Sequence, residues 1–325
     1  MKKVFLFAVV LLCTGAVMAQ NEAQTVILQN GDNVQVFNGI DAFKNAYNAA
    51  TDGNTITLSE GTFNSPVNIN KNVNIYGVGF EDIEAEGIRH SQINGDMNFY
   101  TGDDATSLQN IRIEGVYITG NLQIWQTTNM VVAKCSFGSF YVGGNNLQAV
   151  TIRQSWIRGH VYGSAVVMGL DFQNCYIQGK NNYSNADAML LFNHCIIRTG
   201  ADYANNKAIY TNCVFGDYYH ANINTGSTVK HCICQFGQNA ENINEGNWYN
   251  VNLNDVFTDG YPDYSASKTF TLADPTTYVG TDGTEVGING GDFPWNKIPN
   301  TPVIKNLKVQ VDGAKLNVTY DAQVR

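Results

Sequence analysis

Proline is scarce, six residues in 325, and so is charge, with Asp, Glu, Lys and Arg together making 14% of the chain. At 44% hydrophobic residues such a chain is not intrinsically disordered and can bury a large core. Positive charge is the scarcer sign: 19 Lys and Arg stand against 28 Asp and Glu, for a formal net charge of −9. That balance lacks the basic footprint a phosphate backbone requires, so no nucleic-acid partner is expected. Beyond residue 19 no apolar run approaches the ~18 residues of a membrane helix, so no membrane span is expected. No Cys-x-x-Cys pair occurs, which argues against structural zinc; no metal and no cofactor is expected. What the chain has instead is 41 Asn and 31 Gly, a composition that favours many tight turns between short extended pieces.

The N-terminus has the three-part order of a cleaved export signal: Lys2 and Lys3, the apolar run Val4 to Leu12, then the small-residue site Val17-Met18-Ala19. Cleavage after Ala19 is expected, with a secreted, periplasmic or surface-exposed product. Residues 1–19 carry two Lys and no acid, so the mature chain is near −11.

A repeat of about 20 residues decides the fold. Leu170 to Gly179 (LDFQNCYIQG) superimposes on Ile111 to Gly120 (IRIEGVYITG) and Val150 to Gly159 (VTIRQSWIRG), and the frame continues through Met130, Leu190, Ala208, Val229 and, less well, Val251 to Val256. One inward position reads Val116, Cys135, Ser155, Cys175, Cys195, Cys213, Cys232 and Val256, at spacings of 19, 20, 20, 20, 18, 19 and 24. Alternation on both sides of a one-residue slip describes two short strands joined by a corner. The corner itself reads Gly115, Lys134, Gln154, Asn174, His194, Asn212, His231 and Asp255, rich in residues that accept φ > 0. Stacked corner amides are expected to hydrogen-bond up the stack at the inter-strand spacing. A third short strand follows, as in Leu122-Gln123-Ile124 and Val161-Tyr162. The expected fold is all-β: a right-handed parallel β-helix of three strands per coil and about ten coils, roughly 50 Å long.

These repeats resemble the right-handed parallel β-helix proteins of the pectin-lyase-like superfamily. The likeness extends to DAFKNAYNAA, DGNTITLSEGTF and VNINKNVNIYGVGF between Asp41 and Phe80, similar to the opening segment of such solenoids. There the helix, with Ile40, Phe43, Tyr47 and Ala50 on one face, is expected to cap the first coil. The signal ending in Ala-Gln and the tail VGINGGDFPWNKIPNTPVIKNLKV are similar to secreted Bacteroidetes β-helix proteins, which implies an envelope or extracellular setting and no activity.

The expected organisation is a signal at 1–19, the β-helix with its cap at 20–260, and a Pro/Gly-rich segment with a terminal hairpin at 261–325. Val303 to Val311 and Lys315 to Val324 flank Asp312-Gly313, a hairpin signal. This hairpin is expected to pack on the last coils or to reach a protein partner.

Six cysteines remain after processing. Five share the inward repeat position, which predicts a buried thiol ladder, with Cys232 and Cys234 the pair best placed for a bridge. Polysaccharide cleavage needs paired carboxylates or a calcium cluster with a base. Asp103-Asp104 and Gly159-His160 match polygalacturonase motifs only in part, and Asp171 is the sole acid near Arg112, Arg153, Arg158 and Arg198. The outward positions read Tyr117, Ser136, Trp156, Tyr176, Ile196, Val214, Ile233 and Phe257. Next to them stand Thr119, Arg158, Gln178 and Arg198. Aromatic rings one coil apart suit stacking on pyranose rings, so Tyr117, Trp156, Arg158, Tyr176, Gln178 and Arg198 are the candidate binding residues for a polysaccharide or other surface polymer. The competing reading is that the hairpin, a corner loop or another subunit covers the stripe. The leading expectation is a non-catalytic polymer-binding scaffold; the alternatives are a polysaccharide lyase or hydrolase and a structural or adhesive surface protein.

Overall fold

The computed structural model describes residues 24–300, apart from 83, 85–88, 103–106, 145–146, 200–207, 217–222 and 224, and the backbone of 303–312 and 315–323. The expected export signal at 1–19 and Asp103-Asp104 lie outside the described residues.

The chain is a parallel β-solenoid of about eight turns with very little helix. Its strands stack into ladders of twelve, nine and five. The period-2 alternation points every second side chain inward, and parallel pairing puts like residues in register. One inward row runs Ile113, Val132, Ile152, Phe172 and Phe192. Tyr210 continues it, and the last three rings stack with centroids 4.7 and 4.9 Å apart, the spacing between neighbouring strands. The inward cysteines are all free and fully buried, Cys232 and Cys234 included. The thiols of Cys135, Cys175, Cys195, Cys213 and Cys232 point at main-chain carbonyls, as Cys195 Sγ does at Phe172 O, 3.3 Å away. Burial pushes the Cys135 thiol up to about 12, so that thiol packs as a small apolar group.

The corner carries φ near +50° to +70° at Gly115, Lys134, Gln154, Asn174, His194, Asn212 and His231. The expected eighth repeat does not form. Residues Leu253–Val256 are a short helix, so Asp255 is no corner, and the chain then turns back along the solenoid.

Helix α1 (Ala42–Ala49) buries Ala42, Phe43, Ala46 and Tyr47 against the first strands. Ile40 does not join that face; it is 47% exposed. Lys71 Nζ donates to the carbonyls of Tyr47, Asn48 and Ala50, satisfying the open end of the helix. At the other terminus Val303–Asp312 and Lys315–Gln323 pair antiparallel. Whether that hairpin packs on the solenoid concerns side chains outside those described.

Candidate functional site

Residues 257–298 form a strap that decides what the expected binding stripe can do. The strap runs antiparallel to the direction of stacking and is bonded to one corner after another. His231 Nδ1 meets Val279 O at 2.9 Å, Asn212 exchanges bonds with Thr281, and His194 lies between Gly287 O and Asp282. Asn174 Nδ2 donates to Ile288 O and Gly290 O, and Gln154 Nε2 to Pro294 O. Lys134 Nζ ends the series on Ile298 O. The expected bonding of corner amides up the stack is therefore largely replaced: among these corner side chains only Asn212 and His194 bond each other between adjacent coils, and Asn212 also donates to Asn193 Oδ1. The αL corner turns each side chain outward, where strap carbonyls supply the acceptors.

Beside this seam the strap sheathes the outward stripe. Tyr176, Ile196, Val214 and Ile233 form a second buried core with Phe257, Phe270, Leu272, Val286 and Ile288. Of the six candidate residues, Tyr176 is 1% exposed and its hydroxyl donates to Pro262 O. Arg198 is ion-paired to Asp263 at 2.6 Å and lies over the Tyr261 ring. Trp156 stacks on Tyr264 with centroids 3.7 Å apart. Gln178 stays exposed beyond them. The cover is this strap, where the sequence suggested a hairpin, a corner loop or a second subunit.

The stripe is open at its N-terminal end. Tyr117 and Trp156 line a groove of about 840 Å³, with Glu81, Asp82, His90 and Lys297 around them. Arg158 sits 4.2 Å over the Tyr117 ring and donates to Ile118 O, so it is a support of that wall more than a free hand for ligand. His90 Nδ1 faces Asp82 Oδ1 at 2.7 Å, and that bond holds the Asp82 carboxyl below its ordinary range. Glu81 accepts from Lys297 Nζ at 2.6 Å and from the Tyr264 hydroxyl, which pins the strap to the groove floor. Three expected residues, Tyr117, Trp156 and Arg158, are thus brought together, and Tyr176 and Arg198 are removed.

A second surface was not singled out in the sequence. The outward row of the five-stranded ladder reads Asn98, Gln123, Tyr141, Tyr162 and Asn182 in register. Two residues further along, Tyr100 and Trp125 also face outward. Their rings join Tyr141 and Tyr162 in one half-buried series, with successive centroids 5.4, 5.6 and 5.1 Å apart. Gly143 makes this possible: a Cβ there would lie 2.5 Å from the Trp125 ring, so only glycine lets the indole swing over toward Tyr141. Comparing the third strands alone, from Phe99-Tyr100 and Ile124-Trp125 to Tyr141 and Tyr162, would have found it. Among the described residues no cluster of His, Cys, Asp and Glu is placed to hold a metal ion, and no helix is long and apolar enough to cross a membrane. No family model, curated protein or solved structure matches this chain.

Proposed function

We propose that the protein is an exported, non-catalytic β-solenoid that binds an extended, uncharged polysaccharide along the outer face of its five-stranded sheet. The observation that carries this reading is the series Tyr100, Trp125, Tyr141 and Tyr162, spaced 5.1 to 5.6 Å apart. Pyranose rings repeat at about 5 Å, near the rise of the coils, so successive sugars meet successive rings. The flanking side chains on the row are the neutral amides of Asn98, Gln123 and Asn182, which suit hydroxyl groups and offer a uronate no cation. Tyr117, Trp156 and Arg158 remain in the proposal as a second, shorter contact at the groove. Residues 1–19 are taken as the export signal, cleaved after Ala19, and the terminal hairpin as the contact for any protein partner. The winding is taken as right-handed, the hand of nearly all strand-to-parallel-strand crossovers, in keeping with the likeness to the pectin-lyase-like solenoids.

A second reading, polysaccharide cleavage in the groove, is favoured by the His90–Asp82 pair beside Tyr117. One experiment separates the two: electrophoresis of the mature protein in gels cast with hydroxyethylcellulose, mixed-linkage β-glucan or polygalacturonate, with assay of released reducing ends. Retardation by an uncharged polymer, reduced about tenfold in affinity by Trp125→Ala and unchanged by His90→Ala, is the expected result. Reducing ends that disappear in His90→Ala would replace binding by cleavage, and no retardation by any uncharged polymer would end the first reading.

A further inference from the structure

The last strap contact places three groups together whose chemistry exceeds that of a hydrogen bond. Lys134 is a corner residue, 4% exposed, and its amine lies 3.1 Å from Asn300 Oδ1 and 2.6 Å from Ile298 O. An amine at that distance from the amide oxygen is no more than about 4.3 Å from the amide carbon. Glu114, 2% exposed and one coil away, accepts the Asn300 backbone N–H at 2.8 Å through Oε1. Its other oxygen accepts from Arg112, at 2.6 Å from Nη2. Pro299 is buried between them, which fixes the direction from which Asn300 arrives. The charged groups that act on the amine are Glu114, Arg153 and Arg112; burial is the largest influence and lowers its proton affinity.

We propose that Lys134 and Asn300 join in an intramolecular isopeptide bond. Lys134 Nζ, once deprotonated, attacks Asn300 Cγ. The Nζ–Cγ bond forms, the Cγ–Nδ2 bond breaks, and Nδ2 departs with a proton relinquished by Nζ. The sum is one lysine ammonium and one carboxamide giving one secondary amide and one ammonium ion, with no oxidant, metal or cofactor. Glu114 is the carboxylate at hand to relay the proton, and it also positions Asn300 through the backbone bond. Two features favour the reaction over hydrolysis of the amide: a nucleophile already in contact with its acceptor, and a lysine almost closed to water. The product ties the chain just beyond the strap covalently to the coil of Lys134, where the seam ends, shortly before the terminal hairpin.

The test is tryptic mapping of the purified mature protein after incubation at pH 8. The expected result is a branched peptide joining the segments that contain residues 134 and 300, with no cleavage after Lys134. Its mass falls about 17 Da, one ammonia, below the sum of its two arms. Intact mass alone is insufficient because cyclisation of an N-terminal Gln20 also loses ammonia. The branch is expected to be absent from Lys134→Arg and from Asn300→Ala, the latter a change at an exposed side chain that leaves the fold in place. Glu114→Gln keeps an acceptor for the Asn300 N–H but cannot relay a proton, so its branched peptide is expected to accumulate at least tenfold more slowly. Recovery of both linear peptides with unmodified Lys134 and Asn300 would overturn the bond. An unchanged rate in Glu114→Gln would overturn the proton relay.

Discussion

At the scale of single residues the corner position governs the design, because one backbone conformation has been put to two uses. A φ near +51° at Asn174 makes the bend, and the same geometry aims the amide at Ile288 O and Gly290 O. A β-branched side chain fits neither use. Asn174→Val is expected to cost about 3 kcal/mol, from αL strain and two lost hydrogen bonds, measurable by urea denaturation. An unchanged midpoint would mean that neither the strain nor the bonds matter there. Asp171 offers a test of opposite sign. Burial lifts its carboxyl to about 6 in the folded chain, above the ordinary carboxylate value it regains on unfolding. The folded protein therefore binds the proton more tightly, and stability falls as pH rises from about 4 to about 6. Asp171→Asn is expected to raise the melting temperature at pH 8 and to leave it unchanged at pH 4; the reverse pattern would refute the burial argument.

At the scale of elements the strap matters most, and it was the least legible part of the sequence. Inward Cys, Val and Ile recur every 18 to 20 residues, so strands, corners and the φ > 0 positions could be read directly. The strap has no period of its own. Its register is set by groups meeting corner side chains 48 to 164 residues away in the chain, as Asn174 meets Ile288, and local pattern cannot encode such a pairing. The expected binding stripe failed for the same reason: Trp156 and Tyr176 looked exposed in the repeat, and the residues that sheathe them lie beyond it. The aromatic series escaped notice because Tyr100 and Trp125 stand just past their strands, while Tyr141 and Tyr162 stand within theirs. The seam is tight enough to be broken at one point. A Cβ on Gly290 would fall 1.9 Å from Glu285 O and 2.7 Å from the His194 ring. Gly290→Val is thus expected to lift the strap locally, with faster proteolysis near residues 282–291 and increased binding of a hydrophobic dye. Equal resistance to proteolysis would mean that the strap adjusts without leaving the corner.

At the scale of the whole molecule a solenoid is a one-dimensional object, in which each coil touches only its neighbours and unfolding can begin at either end. The strap changes the dimensionality. Bonds at His231, Asn212, His194, Asn174, Gln154 and Lys134 make one continuous segment a neighbour of every coil from that of His231 to that of Lys134. No intermediate coil can fray without releasing the segment, and the segment cannot leave without exposing the apolar stripe beneath it. A chain truncated after residue 256 is expected to melt over a broader temperature range, its ends opening before its centre. The intact protein is expected to melt in one sharp step, with agreement between calorimetric and van't Hoff enthalpies as the measure. In mechanical terms the returning segment acts as a tendon alongside a column of discs: tension applied along the axis is borne by a single continuous strand in parallel with the stack, and the weakest coil ceases to set the load at which the rod gives way.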